Sequence, residues 1–162
     1  MAKVIIDGAI VDNHWQRLDA EAASEGLPEG KVIVPLAFWQ EHREALLARG
    51  DVAVCLEPGE EPRDLAEDLG ALPLVAIHFP AFKDGRGYSY ARELRSRYRF
   101  EGEIRAVGDV LRDQLFYMQR CGFNAFDVRA DRSIEDAVAS LRDFSVTYQG
   151  DVNDPRPIYR RA

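Results

Sequence analysis

The sequence predicts a single α/β domain, in which helices flank a mostly parallel sheet of about five to six strands and a β-hairpin precedes it. Short apolar runs typical of buried strands alternate about five times with segments of helical periodicity. The connections between them are mostly two to six residues long, as in strand–helix units of parallel sheets. We expect an open sheet, because 162 residues fall short of a complete eight-fold barrel. A partial barrel or a curved sheet is the alternative.

The first 30 residues predict a hairpin followed by a loop. Residues 3–13 alternate around Asp7-Gly8, a pair that favours the tight turn of a β-hairpin. Residues 21–30 are rich in glycine and charge and predict a loop or a short helix.

From residue 31 onward the pattern is regular, and several helices have clear ends. Gly50 and Gly122 follow helical segments as C-terminal glycines do, while Asp109 and Ser133 are typical N-caps. The predicted strands are 31–36, 51–57, 73–79, 102–108 and 124–129. The predicted helices are 37–50, 63–70, 89–99, 109–122 and 133–144. Residues 145–150 are a candidate last strand, and residues 151–162 are a tail of the same single domain, which spans 1–162.

The composition argues against several classes of protein. No apolar run approaches the roughly 20 residues of a membrane span, and the N-terminus lacks the apolar core of a signal peptide. Cys55 and Cys121 lie far apart and form no CxxC motif, which argues against a disulfide scaffold or a metal site. A pI near 5.0 argues against a nucleic-acid-binding protein. We therefore expect a cytoplasmic protein without a metal centre.

No flavin, nicotinamide, haem or iron–sulfur motif is present in the sequence. The stretch GRGYSY at 85–90 has Tyr90 where a dinucleotide-binding fingerprint has its third glycine. No segment matches the phosphate-binding loop GxxxxGK[ST]. The identity of a cofactor is therefore left open.

Charge is distributed unevenly along the chain. The net charge is −7, yet residues 1–82 carry −9 and residues 83–162 carry +2. Residues 86–99 alone contain five arginines and one acidic residue, Glu93. Such an asymmetry favours a binding face for an anion or an acidic partner.

Cationic side chains occur at or after three of the predicted strands. They are Lys83 and Arg86, Arg105, and Arg129. Because ligands of parallel sheets bind at the carboxyl ends of the strands, these residues predict an oxyanion site at one edge. The alternative is that each arginine pairs with a nearby carboxylate on the surface, without any ligand.

Two residues near that edge are candidates for acid–base chemistry. His78 ends the most apolar predicted strand and is the only histidine expected near the crevice. Asp109 begins the helix that follows the next strand. A hydrogen-bonded core histidine and a simple helix cap are the respective alternatives.

The segments FPAFKDGRGYS (79–89), GEIRAVGDVLRDQ (102–114) and GF (122–123) resemble the bacterial family called domain of unknown function 934. The resemblance covers roughly the C-terminal two thirds of the chain strongly. Positions that match the family pattern include Lys83, Arg86, Tyr88, Arg92, Arg105 and Asp109. Tyr88 and Arg92 thereby join the candidate ligand-binding residues.

This resemblance implies a role in assimilatory sulfite reduction, and members of the family are described as oxidoreductases. Electron transfer to sulfite needs a redox cofactor, because protein side chains do not supply that chemistry. The favoured hypothesis is therefore an accessory protein of sulfur assimilation that docks on sulfite reductase or its electron donor through the arginine-rich edge. The alternative is a small oxidoreductase or anion-binding enzyme for sulfite, a sulfated nucleotide or a phosphate-bearing ligand.

Overall fold

The computed structural model describes residues 2–80, 85–128 and 133–143. The strands are β1 (Lys3–Ile6), β2 (Ala9–Asp12), β3 (Trp15–Arg17), β4 (Lys31–Pro35), β5 (Val52–Leu56), β6 (Leu74–Phe79), β7 (Glu103–Gly108) and β8 (Ala125–Phe126). The helices are α1 (Ala20–Ser24), α2 (Leu36–Glu41), α3 (Arg43–Arg49), α4 (Arg86–Ser96), α5 (Leu115–Cys121) and α6 (Ile134–Asp143).

All eight strands belong to one mixed sheet in the order β2-β1-β8-β7-β6-β5-β4-β3. The six strands from β3 to β8 are parallel, and each pairs with the next one along the chain. Strand β1 is antiparallel to both β2 and β8. The α/β class, the mostly parallel sheet and the N-terminal hairpin are confirmed, but the sheet has more strands than the five to six predicted.

The expectation of an open sheet is wrong, because the two edge strands are neighbours in the chain. Only Asn13 and His14 separate the end of β2 from the start of β3, so the two edges lie within about 11 Å of each other. Eight strands laid flat would hold their outermost members about 34 Å apart. The sheet therefore curls round into a barrel.

Strands β2 and β3 are successive halves of one bent strand. Both run in the same direction, since β2 is antiparallel to β1, β1 is antiparallel to β8, and β8 is parallel to the rest. The first half pairs with β1 and the second half with β4. Within the described residues, the barrel closes in this way, through the bend at Asn13 and His14 that joins β2 to β3.

The outer face of the barrel is apolar and packs under the helices. It carries the main core, in which Val54, Val75, Ile77 and Ile104 of the central strands are almost fully buried. The helices supply Trp39, Leu94, Leu115 and Met118 to the same core.

The inner face is lined by smaller and more polar side chains. Its apolar cluster consists of Ile33, Ala53, Cys55, Leu74, Ala76 and Val107. The strands are thus buried on both faces, as in other parallel barrels.

The hairpin prediction is confirmed in detail. Asp7 and Gly8 both have positive φ angles, 52° and 81°, which matches the two-residue turn that Asp-Gly favours. Lys3 and Asp12 face each other across the hairpin and form an ion pair.

Three predicted helices differ from the structure. The segment 37–50 forms two helices, α2 and α3, because the backbone leaves the helical conformation at His42 (φ −116°). Asp68 contacts both helices, since its carboxylate accepts hydrogen bonds from Trp39 in α2 and Arg43 in α3. Residues 63–70 form 3₁₀ turns, at Pro62–Leu65 and Leu69–Ala71. The helix 109–122 starts only at Leu115, after an extended Leu111 and a 3₁₀ turn at Arg112–Gln114.

Other bounds also shift, and one strand was not predicted at all. Helix α4 starts at Arg86 instead of 89, and β8 is two residues long instead of six. Strand β3 has no counterpart in the sequence-based prediction. The candidate strand 145–150 and the tail lie outside the described residues.

None of the helices in the described ranges is both long enough and apolar enough to cross a membrane.

Candidate functional site

The six parallel strands end at one rim of the barrel, which we call the carboxyl-terminal rim. It is built from the last residues of β3 to β8 and the residues that follow them. In barrels of parallel strands, catalytic and binding groups sit at this end, since loops there are free to vary without disturbing the sheet.

A histidine–carboxylate pair lies on this rim. His78 shares the inner face with Val107, its register partner on β7, and Glu57 directly follows β5. The imidazole Nδ1 is 2.6 Å from Glu57 Oε1. A carboxylate acceptor at this nitrogen selects, for a neutral imidazole, the tautomer with the proton on Nδ1, which leaves Nε2 as the basic nitrogen.

Gly108 holds the imidazole from the other side. A Cβ atom at Gly108 would lie 2.5 Å from His78 Cδ2 and 2.8 Å from Nε2, so only glycine allows the ring this position. Gly108 also has a φ of +94°, which favours glycine for the backbone itself. The imidazole of His78 therefore packs between the Glu57 carboxylate and the backbone of Gly108, which has no side chain.

A depression of about 390 Å³ opens next to the imidazole. It is lined by His78, Phe79, Pro80, Gly108 and Asp109. The structure thus brings together the two acid–base candidates predicted from the sequence. A small ligand in this depression would contact both His78 and Asp109.

Cys55 and Glu60 lie close to the pair. Cys55 Sγ is 3.8 Å from Glu57 Oε2, and burial, with the Glu57 carboxylate as the next cause, raises the pKa of the Cys55 thiol to about 12. The thiol is therefore protonated at neutral pH and is no nucleophile in this state. Burial is also the main cause that raises the pKa of Glu60, whose Oε1 accepts a hydrogen bond from Glu57 N.

Arg105 lies inside the barrel and is only 1% exposed. Its Nε donates to Glu103 Oε2 at 2.7 Å, and its Nη1 donates to Asn13 Oδ1 at 2.9 Å. Asn13 belongs to the bend between β2 and β3, so this guanidinium ties β7 to the closing strand across the interior. These contacts give Arg105 a structural role in closing the barrel.

Arg86 lies near the rim, at the start of α4. Its Nη1 is 3.8 Å from the place a Cβ on Gly59 would occupy, and Gly59 belongs to the turn after β5. The same turn is tied to α4 by a hydrogen bond from Gly59 N to Tyr90 Oη. Arg86 is exposed, so a ligand above that turn can reach it.

Tyr88 and Arg92 lie elsewhere, on the outer side of the barrel. Tyr88 packs between Phe79 and Tyr117, with ring centroids 5.2 Å and 5.0 Å away. The Arg92 guanidinium stands 5.9 Å from the centre of the Tyr117 ring. We call these three residues, Tyr88, Arg92 and Tyr117, the α4–α5 surface.

Lys83 and Arg129 lie outside the described residues, so their part in a shared anion site stays a prediction. Of the remaining candidates, His78, Asp109 and Arg86 are at or near the rim. Arg105 is below it, inside the barrel, and Tyr88 and Arg92 are on the α4–α5 surface.

The sequence-based prediction misses Arg17, which it places in no strand, and gives Asp127 only as a possible partner for an arginine. It places Glu57 at the end of the predicted strand 51–57, at this edge of the sheet, but does not predict its pairing with His78. The inner-face position of Glu57 follows from simple alternation after the buried strand VAVCL (52–56), and this signal could have identified it. Arg17 could not be found in this way, because β3 has only three residues.

Among residues 2–80, 85–128 and 133–143, no three His, Cys, Asp or Glu side chains are arranged to hold a metal ion. Both cysteines are free and buried.

A model of the family described as bacterial protein of unknown function (DUF934) matches residues 53–159. A comparison with curated proteins gives no match. The family match covers β5 to α6 and extends beyond them, and it includes the His78 strand, Gly108 and Asp109. Since it spans well over half of the chain, the protein belongs to the bacterial DUF934 family.

Proposed function

We propose that the protein is a small enzyme that transfers protons to and from an oxyanion-bearing ligand at the carboxyl-terminal rim. His78 is the general base, Glu57 orients it, and Asp109 is the second acid–base group. This corresponds to the anion-binding enzyme hypothesis derived from the sequence. Within that hypothesis, the proposal commits to ligands that join an oxyanion group to a carbon acid, from which His78 removes a proton.

The His78–Glu57 hydrogen bond is the observation that carries this proposal. A carboxylate that holds Nδ1–H fixes the tautomer and directs Nε2 toward a substrate, as in the catalytic dyads and triads of hydrolases. At 2.6 Å the two atoms are slightly closer than in an ordinary N–H···O hydrogen bond and within the reach that acid–base partners use. The His78 side chain is 21% exposed, so it is held in place and still accessible.

The surroundings of the pair support a ligand site over a purely structural ion pair. A histidine that only stabilises the fold needs no open space beside its ring. Here one side of the imidazole packs against Gly108, and His78, Gly108 and Asp109 line the same open depression. Two titratable groups at the edge of one depression are what acid–base chemistry requires.

Solvent deuterium exchange tests this proposal directly. The protein is incubated in D₂O with a panel of small carbonyl compounds that bear a phosphate, a sulfonate or a carboxylate, and the loss of α-proton signals is followed by ¹H NMR. Wild-type protein should catalyse exchange into at least one class of compound. His78→Gln should slow that exchange by about 10²–10⁴-fold, as expected when a general base is removed.

The matched control is His42→Gln, which removes an exposed histidine at the α2–α3 junction. It should exchange at the wild-type rate. Wild-type protein that exchanges no compound of the panel, or a His78→Gln variant as active as wild type, would contradict the proposal.

The accessory role in sulfur assimilation is a second candidate, supported by the α4–α5 surface. Tyr117 is 46% exposed, which is high for a large aromatic side chain, and Arg92 stacks against it. Exposed tyrosine and arginine side chains are enriched at protein interfaces. In this proposal the surface docks on an acidic patch of sulfite reductase or of its electron donor.

Co-purification tests this second candidate. Tagged protein from cells starved of cysteine should retain sulfite reductase or its electron donor, identified by mass spectrometry and absorbance. Arg92→Glu should abolish this retention, while His78→Gln should preserve it. Retention that is unaffected by Arg92→Glu, or the absence of both partners from the wild-type eluate, would contradict docking at this surface.

A further inference from the structure

A second depression, of about 430 Å³, opens at the end of the barrel where the parallel strands begin. It is lined by residues of the hairpin turn, of α4 and α5, and of the segment just before β8. The turn lies at this end because β1 is antiparallel to β8, with Ile6 opposite Ala125. The depression is large enough for a small ligand, and it is separate from the carboxyl-terminal rim, where the proposed acid–base groups lie.

Arg95 is a cation that the fold holds in a fixed position at this depression. It is half-buried and lines the depression. Its Nε donates to Gly122 O at 2.9 Å, and its Nη1 donates to Phe100 O and Gly102 O at 2.7 and 2.8 Å. Among the residues that the structure describes, Nη2 has no hydrogen-bond acceptor. A ligand can therefore bind Nη2 without first having to order the side chain.

Asn124 supplies a second donor that is held in place. Its Oδ1 accepts a hydrogen bond from Ile104 N at 2.8 Å, which fixes the orientation of the side-chain amide. Its backbone oxygen accepts from Asp7 N at 2.9 Å, so the residue also joins the hairpin turn to the start of β8. Because Oδ1 is occupied, the NH₂ group is the part of the amide that can donate to a ligand.

Asp7 adds the opposite charge to the same depression. Of the described residues that line it, Asp7 and Arg95 alone are charged. No ion pair joins these two side chains within the described part of the chain. An anion would be attracted by Arg95 but repelled by Asp7, and a cation would meet the reverse. A ligand that carries both charges is attracted by both residues.

We propose that this depression binds a free α-amino acid. The ligand carboxylate accepts hydrogen bonds from Arg95 Nη2 and the Asn124 amide, and the ligand ammonium group donates to the Asp7 carboxylate. Planar guanidinium and amide donors suit a planar carboxylate, and hydrogen bonds between charged groups are the stronger ones. Phe123 and Phe126 also line the depression and provide an apolar surface for the carbon atoms of the ligand.

NMR titration tests this proposal with the standard L-amino acids as separate probes. At least one of them should bind wild-type protein saturably and shift the backbone signal of Gly8 and the side-chain amide signal of Asn124, since both residues line the depression. The N-acetyl derivative of that amino acid has no ammonium group, and its C-terminal amide has no carboxylate. Each derivative should bind about tenfold or more weakly, because each loses a charge-assisted hydrogen bond.

Asp7→Asn is the substitution that tests the ammonium contact without disturbing the turn. Asparagine tolerates the positive φ of this position, 52°, and Asn-Gly favours the same hairpin turn as Asp-Gly. The variant should bind the free amino acid about tenfold or more weakly than wild type does. It should change the affinity for the N-acetyl derivative less than about twofold, because that compound has no ammonium group to lose.

Asn124→Asp tests the carboxylate contact. Aspartate keeps an acceptor for Ile104 N but replaces the amide donor with a negatively charged oxygen, so binding should weaken about tenfold or more. The matched control for charge is Glu44→Gln, which removes an exposed acid on α3 that does not line the depression. It should alter the affinity less than about twofold. Melting temperatures in the same buffer show that each variant is folded.

Three results would overturn the proposal. They are wild-type protein that binds none of the amino acids, an N-acetyl derivative that binds as tightly as the free amino acid, and equal effects of Asp7→Asn and Glu44→Gln. The titration measures binding at the end of the barrel opposite His78, whereas deuterium exchange measures chemistry at the carboxyl-terminal rim. The outcome of either experiment therefore leaves the other proposal unaffected.

Discussion

His78 and Phe79 are neighbours on β6, yet they lie in two different environments. Phe79 faces outward and packs beneath α4, where a Cβ at Gly87 would come within 2.6 Å of its Cζ atom. His78 faces inward, where Gly108 leaves room for the imidazole and Glu57 holds it. The position of the Phe79 ring thus requires glycine at position 87, and the position of the His78 ring requires glycine at position 108.

This comparison separates an outer face of the sheet that is held by apolar packing from an inner face on which polar side chains are held by paired contacts. On the outer face, aliphatic and aromatic side chains pack closely against the helices. On the inner face, the side chains are shorter or polar, and every buried polar group needs a partner. On this face His78 pairs with Glu57, and Arg105 pairs with Glu103. The His78–Glu57 pair consists of two side chains that are able to bind and release a proton.

The largest effect is expected for Arg105→Ala, on the inner face. It leaves Glu103 and Asn13 without their buried partner and should lower the free energy of unfolding by about 3–5 kcal/mol. Urea denaturation measures the change. The double variant Arg105→Met, Glu103→Leu removes both charges and should be much closer to wild type. A loss below about 1 kcal/mol for Arg105→Ala would contradict its role in closing the barrel.

Gly108→Ala should have the next largest effect and should damage the site as well as the fold. A positive φ costs a non-glycine residue about 1–2 kcal/mol, and the new Cβ would lie 2.6 Å from Phe79 O and 2.5 Å from His78 Cδ2. Overpacking of this kind costs about 1–3 kcal/mol. The histidine ¹⁵N spectrum should show that Nδ1 of His78 loses its hydrogen bond to Glu57. An unchanged His78 signal in a folded variant would argue against this packing.

Gly87→Ala is the matching substitution on the outer face. The Cβ would press on the Phe79 ring and on Ile77 Cγ2, at 2.6 and 2.9 Å, so we expect a loss of about 1–3 kcal/mol. The higher helix propensity of alanine offsets roughly 0.5–1 kcal/mol of it. Unlike Gly108→Ala, this variant should leave the His78 signal unchanged. Movement of that signal would show that the two faces of β6 are coupled.

The same distinction explains what the sequence could predict. Stretches such as VIV (32–34) and LVAI (74–77) are continuously apolar because both of their faces are buried, and this signal predicts β4 to β6. The alternation of strands with helical segments predicts that the strands are parallel. The Asp-Gly turn identified the hairpin. Local residue preferences were sufficient for these elements.

The closure of the barrel could not be predicted, because it depends on a few residues with weak local signals. Strand β3 has three residues, of which Gln16 and Arg17 are exposed, so its sequence shows neither an apolar run nor a clear alternation. Without β3 the edges of the sheet could not be recognised as neighbours, and chain length alone favoured an open sheet. The hydrogen bond between Arg105 and Asn13 could not be predicted for the same reason, since the two residues are 92 positions apart in the chain.

Within the site, His78 was identified from its place at the end of a buried strand, but its partner Glu57 was not. Glu57 lies in an acidic stretch, EPGEEP, whose composition is typical of a solvated turn. Only the pairing of β5 with β6 brings its carboxylate to the imidazole. Sequence patterns predict which strand ends lie at the rim, whereas the tertiary contacts determine which side chains meet there.

Cys55→Ala should have the smallest effect on the free energy of unfolding, and it tests whether water is excluded from the inner face around Cys55. Burial, followed by the Glu57 carboxylate, raises the pKa of the thiol from 9.0 to about 12. As the pH rises above about 9, the unfolded chain loses the thiol proton while the folded protein keeps it, so stability falls up to about pH 12. Between pH 7.5 and pH 9.5, the free energy of unfolding of wild-type protein should therefore fall by roughly 1 kcal/mol more than that of Cys55→Ala. Urea denaturation of both proteins at the two pH values gives the difference, and other titrating groups cancel in it. Parallel changes in the two proteins would mean that Cys55 is in contact with water, and that the interior below the His78–Glu57 pair is solvated.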